Sequence, residues 1–115
     1  MKTIIAGSRT INDYSVLEMC IKESAFKITE VICSDAEGVD ELGKKWAIQN
    51  GIPIEYFPAD WKTNQEESWM IVNEQMADYA EAAIIIIKNF SEGSMHMLKT
   101  ALKKDLKVYS YTCFS

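Results

Sequence analysis

Residues 82–87 read Ala-Ala-Ile-Ile-Ile-Ile, and no other run constrains the chain as strongly. Successive strand residues face opposite ways, so four consecutive isoleucines make a strand that is apolar on both faces. Such a strand belongs in the middle of a sheet covered by helices on both sides. The flanking sequence supplies the rest of that sheet.

Lys2–Ala6 is a short β-branched run broken by Gly7-Ser8-Arg9. Asn12 or Asp13 is placed to cap a helix whose apolar positions Val16, Leu17, Cys20 and Ile21 keep helical spacing. Ile28–Cys33 reads as a second strand, followed by a helix over Val39–Asn50 with Gly51 as its stop. Pro53–Phe57 is a third strand. Pro58–Asn64 is a loop, and Gln65–Tyr79 carries a helical pattern with Trp69, Met70, Asn73 and Met76. After the isoleucine strand, the loop 89–94 leads into a helix ending near Lys104, and Leu106–Tyr111 is the last strand.

Five strands alternating with four helices predict an α/β fold, a doubly wound parallel sheet in an order of about 3-2-1-4-5 with helices on both faces. The 115 residues make one domain, 1–115, with no room for a second core. In that order the sheet reverses direction between the first and fourth strands, and ligands of such sheets bind beyond the strand C-termini at that point. The loops expected to meet there are Gly7–Thr10, Ser34–Asp40 and Asn89–Ser94.

Charge narrows the function. Twelve Lys and Arg face 17 Asp and Glu, a formal net charge of −5. A non-specific nucleic-acid binder needs a basic footprint on the phosphates, so nucleic acid is not an expected partner. Arg9 is the only arginine and His96 the only histidine. Cys20, Cys33 and Cys113 are odd in number and lack metal-ligand spacing, so they read as thiols in a reducing cytoplasm and no metal is expected. No signal segment or apolar run of membrane-spanning length occurs, which makes the expected location cytoplasmic, with no membrane partner.

Three loops carry candidate chemistry. Gly7 lets the backbone approach a ligand, the amides and hydroxyl of Ser8 can donate to oxyanions, and Arg9 adds a planar, permanently charged fork. Ser91, Gly93 and Ser94 open the last helix, where amides, hydroxyls and the helix dipole favour an anion; either serine can instead cap the helix. Asp35, Gly38 and Asp40 lie in an acidic loop, with Asp40 either accepting ribose hydroxyls or capping the second helix. Asn73 adds a polar contact. Trp46, Trp61 and Trp69 are core candidates, and Trp61 is the one placed to wall a pocket and stack on a base. Met95, Met97, Tyr109, Tyr111 and Phe114 fit a dimer face or the core equally.

Gly7-Ser8-Arg9, Gly38-Val39-Asp40 with Trp46-Ala47, Phe57-Pro58-Ala59-Asp60-Trp61, Asn73 and Ser91-x-Gly93-Ser94 fall in one order. In that order the chain, over about residues 2–111, resembles the YspA-like branch of the SLOG superfamily, the group named for the SMF/DprA and LOG proteins. The resemblance implies a Rossmann-like sheet that binds nucleotides or nucleotide-derived ligands, often as a homo-oligomer. Some relatives cleave N-glycosidic bonds of nucleoside monophosphates, others sense nucleotide-like signals, and small members of this branch are frequent in phage genomes. The chain departs from the family pattern where Gly-Gly-Ala-Arg is replaced by Ser34-Asp35-Ala36-Glu37, and where an Arg-Asn pair becomes Val72-Asn73. The usual Thr is Ser94, and Met95-His96-Met97 stands where LOG enzymes carry a catalytic glutamate. With two cations fewer, the expected ligand carries one phosphate or is recognised through ribose and base.

The leading expectation is a protein that binds a nucleotide-derived small molecule without catalysis or a cofactor of its own, as a sensor, carrier or sponge. The alternative is an N-glycosidic-bond hydrolase of the nucleoside-monophosphate phosphoribohydrolase type. Its acid–base groups would come from Glu37, Asp40, Glu92 and His96, with Glu92 and His96 as the catalytic candidates.

Overall fold

The structure is a computed structural model and describes residues 1–34, 37–58 and 68–114. Its elements alternate along the chain: β1 (Lys2–Gly7), α1 (Tyr14–Ser24), β2 (Glu30–Cys33), α2 (Val39–Gln49), β3 (Ile54–Tyr56), α3 (Ser68–Tyr79), β4 (Ala82–Lys88), α4 (Glu92–Lys103) and β5 (Lys107–Cys113). All strand pairings are parallel and the order is β3-β2-β1-β4-β5.

The isoleucine strand is central, as its two-faced apolarity requires. Ile85 and Ile87 pack with Ile4 and Ile32 against Val72, Met76, Met97 and Ala101 of α3 and α4. Ile84 and Ile86 point the other way, joining Ile5 and Val31 against Leu17, Cys20, Val39 and Ala47 of α1 and α2. All four isoleucines are buried, and burial of each stabilises the fold by roughly 1.5–3 kcal/mol.

Strand lengths follow from their partners. β2 begins at Glu30 rather than Ile28 because β1 begins at Lys2, its partner in register, and before that only the Met1 carbonyl accepts the Thr29 amide. β5 runs on past Tyr111 to Cys113 because β4 extends to Lys88, which pairs with Cys113. Asp13 is the cap of α1, accepting the Ser15 amide at 3.0 Å. The first residues expected in the third helix, 65–67, lie outside the described residues.

The C-terminal apolar residues divide between the core and the surface. Met97 is core, and Tyr109 and Tyr111 pack half-buried on the α1/α2 side. Met95 and Phe114 are exposed, Phe114 meeting the exposed Phe90 edge-on at 5.2 Å. Cys20 and Cys33 are buried, and burial pushes both thiols up to about 11. A thiol held protonated in this way is unreactive. No described helix is long and apolar enough to cross a membrane.

Candidate functional site

β1 and β4 lie side by side, with Gly7 opposite Ile86, and the chain leaves them toward opposite faces of the sheet. The loops that follow β1, β2 and β4 therefore open a cavity of about 540 Å³ at their C-terminal ends, within the range usual for small-molecule sites. Its floor is the Gly7–Thr10 turn, one side is the start of α4, and the far wall is α3.

Two glycines are required by the protein itself. A Cβ on Gly7 would stand 2.2 Å from the Ile86 carbonyl oxygen. One on Gly38, whose φ is +76°, would stand 2.4 Å from the Ser8 carbonyl oxygen and 2.7 Å from the Arg9 backbone. Gly38 thus lets the second loop press against the first. Gly93 differs, because a Cβ there would meet nothing within 4 Å.

Three hydroxyls meet at the switch point. The Ser8 amide donates to the Ile86 carbonyl at 3.0 Å, and Ser8 Oγ accepts the Lys88 amide at 2.8 Å, which pins Ser8 between the two strand ends. Ser91 Oγ donates to Ser94 Oγ at 2.9 Å, so its single hydrogen is committed. Across the 2.5 Å contact between Ser8 and Ser91, Ser8 must then be the donor. The Ser94 hydrogen has only the longer 3.3 Å contact with Ser8 and is the one most readily turned to a ligand. Ser91 stands at the N-cap of α4 but makes no side-chain cap bond. The first-turn amides of that helix, including Gly93 and Ser94, receive no acceptor from their cap, and they carry the positive end of the dipole.

Arg9 lines the cavity, is exposed, and its side chain has no hydrogen-bond or ion-pair partner among the described residues. Asp40, by contrast, is 2% exposed. It does not cap α2, whose N-cap is Gly38. Its carboxylate accepts the Ser34 hydroxyl at 2.6 Å and the Ser34 amide at 3.2 Å, and also the Gly7 amide. Burial pushes Asp40 up to about 6, partly offset by those bonds and by Lys44. With three protein donors on it, Asp40 acts as a tie between the ends of β1 and β2, setting the turn that carries Ser8 and Arg9.

Asn73 reaches the cavity from α3, and its Nδ2 lies 3.1 Å from His96 Nδ1 and 3.5 Å from the Gly93 carbonyl, bridging α3 to α4. His96 and Glu92 do not line the cavity. His96 is half-buried with the Trp69 ring edge-on at 5.2 Å, and it borders a separate groove with Glu74 and the α4 lysines. Asp35 and Trp61 lie outside the described residues. Trp69, assigned to the core from sequence, is half-buried in the cavity wall with Val72. Its spacing from Asn73, one helical turn, was the available signal. Glu37, Thr10 and Ser34 also line the cavity. Among the described residues no group of three or more His, Cys, Asp or Glu could hold a metal ion.

A parallel 3-2-1-4-5 sheet, with a cavity at its switch point between a Gly-Ser-Arg turn and a helix N-terminus, defines a Rossmann-like α/β domain. The chain belongs to the YspA, cpYpsA-related SLOG family, whose model matches residues 1–63. The matched part holds the Gly7–Arg9 and Gly38–Asp40 loops. Its fold is similar to that in the X-ray structure of DNA processing protein A from Streptococcus pneumoniae, with a TM-score of 0.76 and 17% identity. That match covers 95% of this chain and 49% of the other, so the chain spans about half the length of that protein. No curated protein matches the chain.

Proposed function

We propose that this protein binds a nucleotide-derived small molecule in the switch-point cavity without transforming it, serving as a sensor, carrier or sponge. The observation that carries the reading is the convergence of the only arginine, unpaired among the described residues, with an uncapped helix N-terminus on one cavity. Arg9, the Ser94 hydroxyl and the first-turn amides of α4 would hold phosphate oxygens. Trp69 would supply an apolar face for a base. Asp40 would set the Gly7–Arg9 turn, and Asn73 would hold the wall. Of the four acid–base groups a hydrolase would draw on, Glu92 and His96 lie off the cavity, Asp40 is buried under Ser34, and only Glu37 is exposed in the lining, which favours binding.

Calorimetry against adenosine and guanosine nucleotides and their 3′,5′-cyclic forms tests it. Binding is expected in the micromolar range, with Arg9→Ala weakening it by about tenfold or more, as loss of a charge-assisted contact does. Gly93→Ala is expected to fold as well as the natural chain, since its Cβ meets nothing, yet to weaken binding by crowding the helix terminus. No binding at millimolar concentration, or binding untouched by either change, refutes the proposal.

A further inference from the structure

Among the described residues, the charged side chains lining the cavity are one cation, Arg9, and two carboxylates, Glu37 and Asp40. Asp40 is buried and tied to Ser34. Glu37 is exposed and, like Arg9, has no hydrogen-bond or ion-pair partner among the described residues. It immediately precedes Gly38, whose missing Cβ lets this loop press against the Arg9 backbone, so the two opposite charges enter the cavity from adjoining loops. With both carboxylates ionised, the described lining is one negative charge in excess. An anion is therefore held by local donors, not by the net field. Among the described residues those donors are the Arg9 fork, the Ser94 and Thr10 hydroxyls, and the first-turn amides of α4.

Resting on the nucleotide-binding reading above, we infer that Glu37 makes this cavity selective for a singly charged phosphate, a phosphodiester, over phosphomonoesters and polyphosphates. A diester presents two non-bridging oxygens sharing one charge, which the fork and the helix terminus can satisfy together. A monoester carries roughly −1.5 to −2 at neutral pH, and each added phosphate brings further charge into a lining that holds Glu37 and, among the described residues, no second cation. Glu37 thus sets the charge of the ligand without reading its base or sugar.

The test is calorimetry at neutral pH in a chelator, comparing 3′,5′-cyclic AMP and cyclic GMP with the mono-, di- and triphosphates of adenosine and guanosine. The natural chain is expected to bind a cyclic form at least about tenfold more tightly than the matching triphosphate. Glu37→Arg is expected to shrink that ratio to below about threefold by strengthening the triphosphate, and Glu37→Gln to fall between. Glu37 is exposed, and thermal unfolding of each variant checks that both fold. A triphosphate bound as tightly as the cyclic form by the natural chain, or a ratio unmoved in Glu37→Arg, overturns the inference while leaving nucleotide binding standing. Triphosphate binding that becomes the tightest when Mg²⁺ is added overturns it too, because the carboxylates would then be holding a cation. If no nucleotide binds, both this inference and the reading beneath it fall.

Discussion

Asp40 offers the sharpest test of the site's construction, because its charge works against the fold. Its carboxyl is held at about 6 in the folded chain against 3.8 for an ordinary aspartate, chiefly by burial. Between those two values the folded state keeps a proton that the unfolded chain has lost. The contribution of Asp40 to stability is then complete below about pH 4 and declines as pH rises to about 6, the reverse of an aspartate in an ion pair. A shift of roughly two units corresponds to about 3 kcal/mol, or on the order of 10 °C in Tm for a domain of this size. Asp13 has its carboxyl lowered by the Ser15 hydrogen bonds, so it stabilises increasingly with rising pH and partly masks the effect in the natural chain. Asp40→Asn isolates it. The amide does not titrate, and whatever its altered hydrogen bonds to Ser34 and Gly7 cost is the same at every pH. Urea unfolding of both proteins at intervals from pH 4 to 7.5 is expected to show the stability difference moving by about 2–3 kcal/mol in favour of the variant as pH rises. Curves that stay parallel within about 0.5 kcal/mol would refute the account of a desolvated carboxylate under the turn.

Two other substitutions test the frame around the cavity. Gly38→Ala must place a Cβ 2.4 Å from the Ser8 carbonyl oxygen at a φ of +76°; a loss of about 2–3 kcal/mol is expected in denaturant unfolding, and an unchanged midpoint would show that the two loops are not packed as described. Ile85→Ala removes a fully buried side chain between β4 and the α3/α4 layer; it is expected to lower stability by about 2–5 kcal/mol by the same measurement, and a loss under about 1 kcal/mol would contradict the central position of β4.

The architecture was legible because it rests on local periodicity. An all-isoleucine strand has only one kind of place in a sheet, and alternation with helices then leaves few topologies once crossovers are right-handed. The observed order and the pairing of Gly7 with Ile86 follow that reasoning. Strand ends were less legible, since where β2 starts and β5 stops depends on the reach of β1 and β4, which no local pattern encodes.

The site divides in the same way. Strand order placed the loops after β1, β2 and β4 at the switch point, and of their expected residues Gly7, Ser8, Arg9, Asp40, Ser91, Gly93 and Ser94 line the cavity, whereas Gly38 does not. What those residues do there is a property of distance between segments up to 86 residues apart. Only packing could show that Asp40 ties strand ends and does not cap its helix. Only packing could commit the Ser91 hydroxyl to Ser94 Oγ and not to a first-turn amide, bring Trp69, a core candidate by sequence, to the cavity wall, and leave His96 and Glu92 outside. Strand burial is decided by the residue's own neighbours in the chain, whereas a hydrogen's acceptor and a carboxylate's solvent are decided by whatever the fold brings alongside.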